Sequence, residues 1–175
     1  AQTYRYTQGI ADASRSLVLK NQNQITKPVS ANNDVVPNPI RLILHGASSS
    51  ERQQALTAEL LNCIQSAKQL KIVCPSVFVL RRASTAYTVA EGINNDFLDA
   101  VKVQYQDQLK IEYLSLHRSK GSGADFVILV GLDSGSRGFP SDRTDDEFMN
   151  LVLPKLMNSV EEERRLMYVG MTRAK

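Results

Sequence analysis

The sequence predicts an α/β domain with a mostly parallel sheet wrapped by helices. Three observations point there. Short apolar runs alternate with segments of helical periodicity, the pattern that crossover connections impose. The run "VFVL" at residues 77–80 is apolar at every position, as in a strand buried on both faces. The chain has 175 residues, 42% hydrophobic and 22% charged, which supports one sizeable core and is unlike a disordered composition.

Thr7 is placed to N-cap a first helix with apolar positions Ile10, Ala13, Leu17 and Val18. That helix fades in the polar stretch 21–27. Residues 27–39, "KPVSANNDVVPNP", carry three prolines and three asparagines and are expected to form a flexible loop. "IRLIL" at 40–44 reads as a short strand ending before Gly46. Ser50 is expected to cap the next helix, whose stripe is Ala55, Leu56, Glu59, Leu60, Cys63 and Ala67. Pro75 breaks the chain ahead of the strand at 77–80. A third helix is expected at about 94–104, with Phe97, Leu98 and Val101 inward. "IEYLSLH" (111–117) and "FVILVGL" (126–132) are further strands. The polar loop between them is too short for a crossover helix, which leaves the two either adjacent or separated in the sheet. "DSGSRGFPSDR" is a loop, and a helix is expected over 145–156. The last helix opens on a capping box, Ser159 with Glu162, and Glu161, Glu162 and Glu163 suit its positive first turn.

Composition excludes more than it selects. Twenty-one Lys+Arg against 18 Asp+Glu give a net +3, too mild to argue for nucleic acid without a clustered patch. No apolar run approaches the roughly 18 residues of a membrane span. No apolar h-region follows the first residues. Cys63 and Cys74 lack C-x-x-C spacing and read as reduced, so a cytoplasmic protein with no membrane partner is expected. G-x-x-x-x-G-K-[ST] is absent, as are H-E-x-x-H, G-x-S-x-G and any metal-spaced Cys/His set. "TDDEF" at 144–148 has no apolar strand before it and reads as a solvated helix start. By itself the sequence spells out no complete active site.

Three stretches nonetheless fit together: "QTYRYT" (2–7), "LSLHRSKGSGADFVILVGLDSGSRGFP" (114–140) and "EEERRLMYVGMTRAK" (161–175). In order and separation they resemble motifs IV, V and VI of the C-terminal motor lobe of UvrD/Rep-type superfamily 1 DNA helicases, with the flavour of the helicase IV-like branch. "VFVLRRAS" (77–84) resembles the family's V-L-x-R segment more weakly, and residues 21–75 are covered only by position.

The resemblance implies a RecA-like, P-loop NTPase-type three-layer lobe over residues 1–175 that lacks its own P-loop. In this family ATP and Mg²⁺ sit in a cleft between two such lobes, and an N-terminal lobe of the same protein holds most of the ligand. The second lobe supplies arginines, which are always charged, planar and able to bond two oxygens. By resemblance Arg173 and Arg5 are those fingers, and Tyr4 matches the aromatic that stacks on adenine. His117, Arg82, Ser84 and Lys120 match positions near the single-stranded DNA track; where Ser84 stands, the family often has Asn. The C-terminal ends of parallel strands are where open sheets place ligands, so that edge is expected to carry both DNA and ATP groups. Many relatives carry Glu where this chain has Gly123, so a ribose contact there is not expected.

The implied function is ATP-dependent 3′→5′ unwinding of DNA, as in repair, with this chain a cut piece that is inactive alone. Rival readings are a motor-derived factor that remodels RNA polymerase, a nuclease–helicase fusion, and a degenerate lobe serving as a binding module.

Overall fold

The computed structural model describes residues 2–22, 24–25, 28–31, 36, 39–82, 93–133, 139–140 and 159–175. In chain order they form β1 (Gln2–Thr3), α1 (Gln8–Val18), β2 (Ser30–Ala31), α2 (Ser49–Gln69), β3 (Ser76–Arg81), α3 (Asn95–Tyr105), β4 (Lys110–Ser115), β5 (Phe126–Leu129) and α4 (Ser159–Met171).

The apolar run of β3 takes the middle of a parallel sheet ordered β4-β3-β5. Phe78 stands opposite both Glu112 and Val127. This settles what the sequence left open: β4 and β5 are not neighbours, because β3 lies between them. Val77 and Leu80 are fully buried, and Phe78 and Val79 nearly so. Burying such side chains contributes about 1.5–3 kcal/mol each.

Alternation along β3 sorts the core into two faces. Val77 and Val79 meet Leu56, Leu60 and Ile64 of α2 and Leu98, Val101 and Tyr105 of α3. Phe78 and Leu80 point the other way, to Leu116, Ala124 and Leu166 of α4. Helices thus lie on both sides of the sheet, giving three α/β/α layers. The first helix packs on α4, and the two-stranded parallel pair β1–β2 flanks it.

The local signals mostly hold, with differences. Ser48 rather than Ser50 caps α2: its hydroxyl accepts the Glu51 N–H at 3.2 Å, and the Glu51 carboxylate accepts the Ser48 N–H at 3.2 Å. Thr7 does cap α1, without a side-chain bond, and Ala11 and Ser14 take the buried positions expected of Ala13 and Leu17. Asn94 caps α3 through the Phe97 N–H at 2.9 Å. The segment 40–44 is not a strand: no described residue pairs with it, and Leu42 and Leu44 are 76% and 89% exposed. A strand exists only through its ladder, and here Arg41 pairs instead with Glu59 of α2. Within 27–39, Ser30–Ala31 pair with Gln2–Thr3. The helix expected over 145–156 and most of the loop before it lie outside the described residues, as does the residue before α4. Ser159 already belongs to that helix rather than capping it.

Candidate functional site

Arg5 and Arg173 stand 168 positions apart in sequence, yet line one open pocket of about 780 Å³. Packing of the first and last helices closes the distance. Tyr6, Ile10 and Ala11 cluster against Ala174. At the other end of α1, Asn21 donates to the Glu161 carbonyl at 3.0 Å and the Gln22 N–H to the Glu161 carboxylate at 3.0 Å. Arg164 closes the join on Asn21 Oδ1 at 3.1 Å, while Arg165 pairs with Glu162 at 3.4 Å.

Tyr4, Arg5, Tyr6, Tyr168, Thr172, Arg173 and Lys175 share the pocket wall, and no carboxylate is among its lining residues. Tyr4 is 68% exposed. Arg173 is sunk to 9% exposure and held by neutral oxygens. Its Nε donates to the Val169 carbonyl at 2.9 Å. Its Nη1 donates to the Ser119 and Ser122 carbonyls at 3.4 and 3.2 Å, and Nη2 to Thr172 Oγ1 at 3.3 Å. This leaves one Nη2 hydrogen uncommitted.

Among the described residues no carboxylate pairs with Arg173 or with Arg5. Desolvation, and then the charge of Arg5, pull the Arg173 pKa down, while Tyr6 and Tyr168 act the other way. A guanidinium stays protonated regardless, so the pocket keeps an uncancelled positive charge. Burial pushes the Tyr168 hydroxyl up to about 12, helped by its bond to Tyr6.

The turn that holds Arg173 follows β4 and carries the expected nucleic-acid residues. His117 and Lys120 are both exposed there, and the Lys120 N–H donates to the His117 carbonyl at 3.3 Å. Arg82 sits just past the C-terminal end of β3. Its guanidinium is committed to Glu163 of α4: Nε lies 3.1 and 3.0 Å from the two carboxylate oxygens and Nη2 2.6 Å from one. Ser84 lies outside the described residues. The structure therefore brings Tyr4, Arg5 and Arg173 together in one place and His117 and Lys120 in another. Through Ser119 and Ser122 the second place touches the first.

Sequence reasoning did not reach Tyr6, Tyr168, Thr172 and Lys175 as pocket residues, although each lies inside or beside a quoted motif. Nor did it reach Glu163 as the partner of Arg82. The Ser119 and Ser122 contacts are made by backbone carbonyls, which no side-chain pattern reveals. Gly123 faces the Arg173 carbonyl, which a Cβ there would meet at 3.1 Å. The same carbonyl accepts the Ala124 N–H at 3.0 Å, and the Lys175 N–H returns to the Ala124 carbonyl at 3.0 Å. A bare backbone at Gly123 thus suits the docking of the chain's last residues on the segment before β5.

Residues 89–175 match the UvrD-like helicase C-terminal domain family. Over this stretch the chain is similar to that family. It contains His117, Lys120 and Arg173, whereas Tyr4, Arg5 and Arg82 precede it. The DNA helicase IV of Escherichia coli (strain K12) is 27% identical over 174 residues, which cover 99% of this chain and 22% of that protein. The DNA helicase II of Haemophilus influenzae is 42% identical over 65 residues, 37% of this chain and 7% of that protein. A probable DNA helicase II homolog of Rickettsia conorii is 42% identical over 65 residues, 37% of this chain and 9% of its own length. The chain thus spans less than a quarter of the relatives it matches. No solved structure matches it. No described helix is long and apolar enough to cross a membrane, and the described residues hold no group of three or more His, Cys, Asp or Glu that could bind a metal ion.

Proposed function

We propose that this chain is the second motor lobe of an ATP-dependent 3′→5′ DNA helicase, facing an N-terminal RecA-like lobe of the same protein across a nucleotide cleft. One observation carries the reading: Arg5 and Arg173 share a pocket in which, among the described residues, no carboxylate answers either charge. Two guanidiniums repel each other, and placing them together without an acid suits a polyanion that arrives from outside. The kinship with proteins named DNA helicase IV and II supports a triphosphate as that anion.

Tyr4 offers its exposed ring for stacking on the base. Arg5 and Arg173 neutralise the charge that builds on the phosphates. Neutral carbonyls around Arg173 fix its position without cancelling its charge, which is how a preorganised electrostatic group should be held. Mg²⁺ and the phosphate cradle belong to the facing lobe in this reading. His117, Lys120, Arg82 and Ser84 contact single-stranded DNA, chiefly its backbone. ATP binding closes the cleft, hydrolysis reopens it, and the lobe steps along the strand.

In the intact protein, Arg173→Ala should leave nucleotide affinity within a few-fold while lowering turnover by about 10³-fold, the scale of arginine fingers in related phosphoryl transfer. Equilibrium binding of a fluorescent ATP analogue and steady-state phosphate release measure the two. Turnover that survives the substitution would remove Arg173 from the mechanism.

A further inference from the structure

The bond between Arg82 and Glu163 joins two places that the motor reading keeps apart. Arg82 lies at the strand edge assigned to DNA, just past β3. Glu163 lies on α4, eight residues and therefore about 12 Å along the helix before its last residue, Met171, and Arg173 follows two residues later. The pair is a fork closed on both carboxylate oxygens, with Nη2 to Oε1 at 2.6 Å. The carboxylate is the buried partner at 9% side-chain exposure, and the arginine reaches 26%. The Arg82 pKa is raised, first by the bonds to Glu163. An arginine engaged in this way cannot also bind phosphate with the same donors, so DNA and Glu163 compete for it.

From this competition we propose that Glu163 is a positioning residue that tethers Arg82 to α4 in the DNA-free state and releases it to a DNA phosphate. The inference rests on the motor reading and deepens it. Loading of single-stranded DNA breaks the tether and frees the helix that leads into Arg173. By linkage, whatever weakens the tether favours both DNA binding and the active setting of α4.

The test uses the full-length protein, single-stranded oligothymidylate and ATP. Glu163→Gln keeps the size and one acceptor oxygen but loses the charge. It should bind the oligonucleotide about three-fold tighter or more, and its DNA-free turnover should rise several-fold, so that the stimulation ratio falls. A purely structural lesion would weaken both, which makes the direction of change diagnostic. Unchanged or reduced affinity, or unchanged or reduced DNA-free turnover, overturns the tether. Should Glu163→Gln fail to fold, Arg82→Lys decides: it keeps the charge, gives up the fork, and should also raise DNA-free turnover. If the unaltered protein shows no DNA-stimulated hydrolysis, the motor reading fails and takes the tether with it. If it does and the variants change nothing, the tether alone fails.

Discussion

Arg173 shows how a residue's neighbours set what it can do. Four of its N–H groups rest on oxygens that carry no formal charge, so the side chain is fixed while these partners leave its charge uncancelled. Three other side chains respond to burial in the opposite chemical sense. Burial holds Tyr113 up at about 12, with Asp99 adding to it. Tyr168 and Cys63 are also pushed to about 12, each by burial first. For all three the neutral form is favoured in the fold. The unfolded chain ionises at the usual values, near 9 for the thiol and 10 for the phenols. Their contribution is therefore complete below pH 9 and is lost as pH rises towards 12. Tyr113 also donates to the Leu98 carbonyl at 2.8 Å. Tyr113→Phe should accordingly be less stable than the parent at pH 8, and the gap should close between pH 10 and 12. Denaturant unfolding at several pH values measures that gap, and a constant gap would contradict the assignment.

At the scale of elements, Gly170 explains how close α4 comes to the sheet. A Cβ at this mid-helix position would sit 2.6 Å from Leu116 Cδ2 and 3.0 Å from Leu129 Cδ2. Glycine costs a helix about 1 kcal/mol relative to alanine, so the close approach offsets that loss. Leu116 is 2% exposed and has little room to yield. Gly170→Val adds a branched side chain into this contact and should destabilise by about 2–3 kcal/mol, the scale of overpacking in a closed core. A fall in the urea midpoint with an unchanged slope would report it, and an unshifted midpoint would mean that α4 packs less tightly than described. A glycine in mid-helix is the sequence sign of such an approach, but it does not name the leucines it meets. The central strand was legible for a plain reason, since four apolar residues in a row can be satisfied only by burial on both faces. The segment at 40–44 has a similar composition and misled, because apolar character specifies burial or pairing without naming a partner. The stretch "SSSE" marks a helix start, but sequence reasoning places the cap at Ser50 and does not reach the box that Ser48 forms with Glu51.

For the whole molecule, half of the candidate site was readable and half depended on the fold. Motif VI marked Arg173 and the opening stretch marked Arg5, but only the packing of α1 on α4 places them on one pocket. The pairing of Arg82 with Glu163 follows from three-dimensional proximity across 81 positions, which no local pattern encodes. What the pocket contains also says what it needs. It offers cations and an aromatic ring, while the sequence has no G-x-x-x-x-G-K-[ST] to cradle phosphate. Charge neutralisation without a phosphate cradle leaves the triphosphate unpositioned for attack by water. Purified residues 1–175 should therefore release no measurable phosphate from ATP with Mg²⁺ and single-stranded DNA present, even where a cooperative thermal transition shows the chain to be folded. Under the same conditions the intact protein should hydrolyse ATP, and single-stranded DNA should accelerate it. DNA-stimulated hydrolysis by residues 1–175 alone would mean that the catalytic groups lie within this chain, and the two-lobe cleft would have to be abandoned.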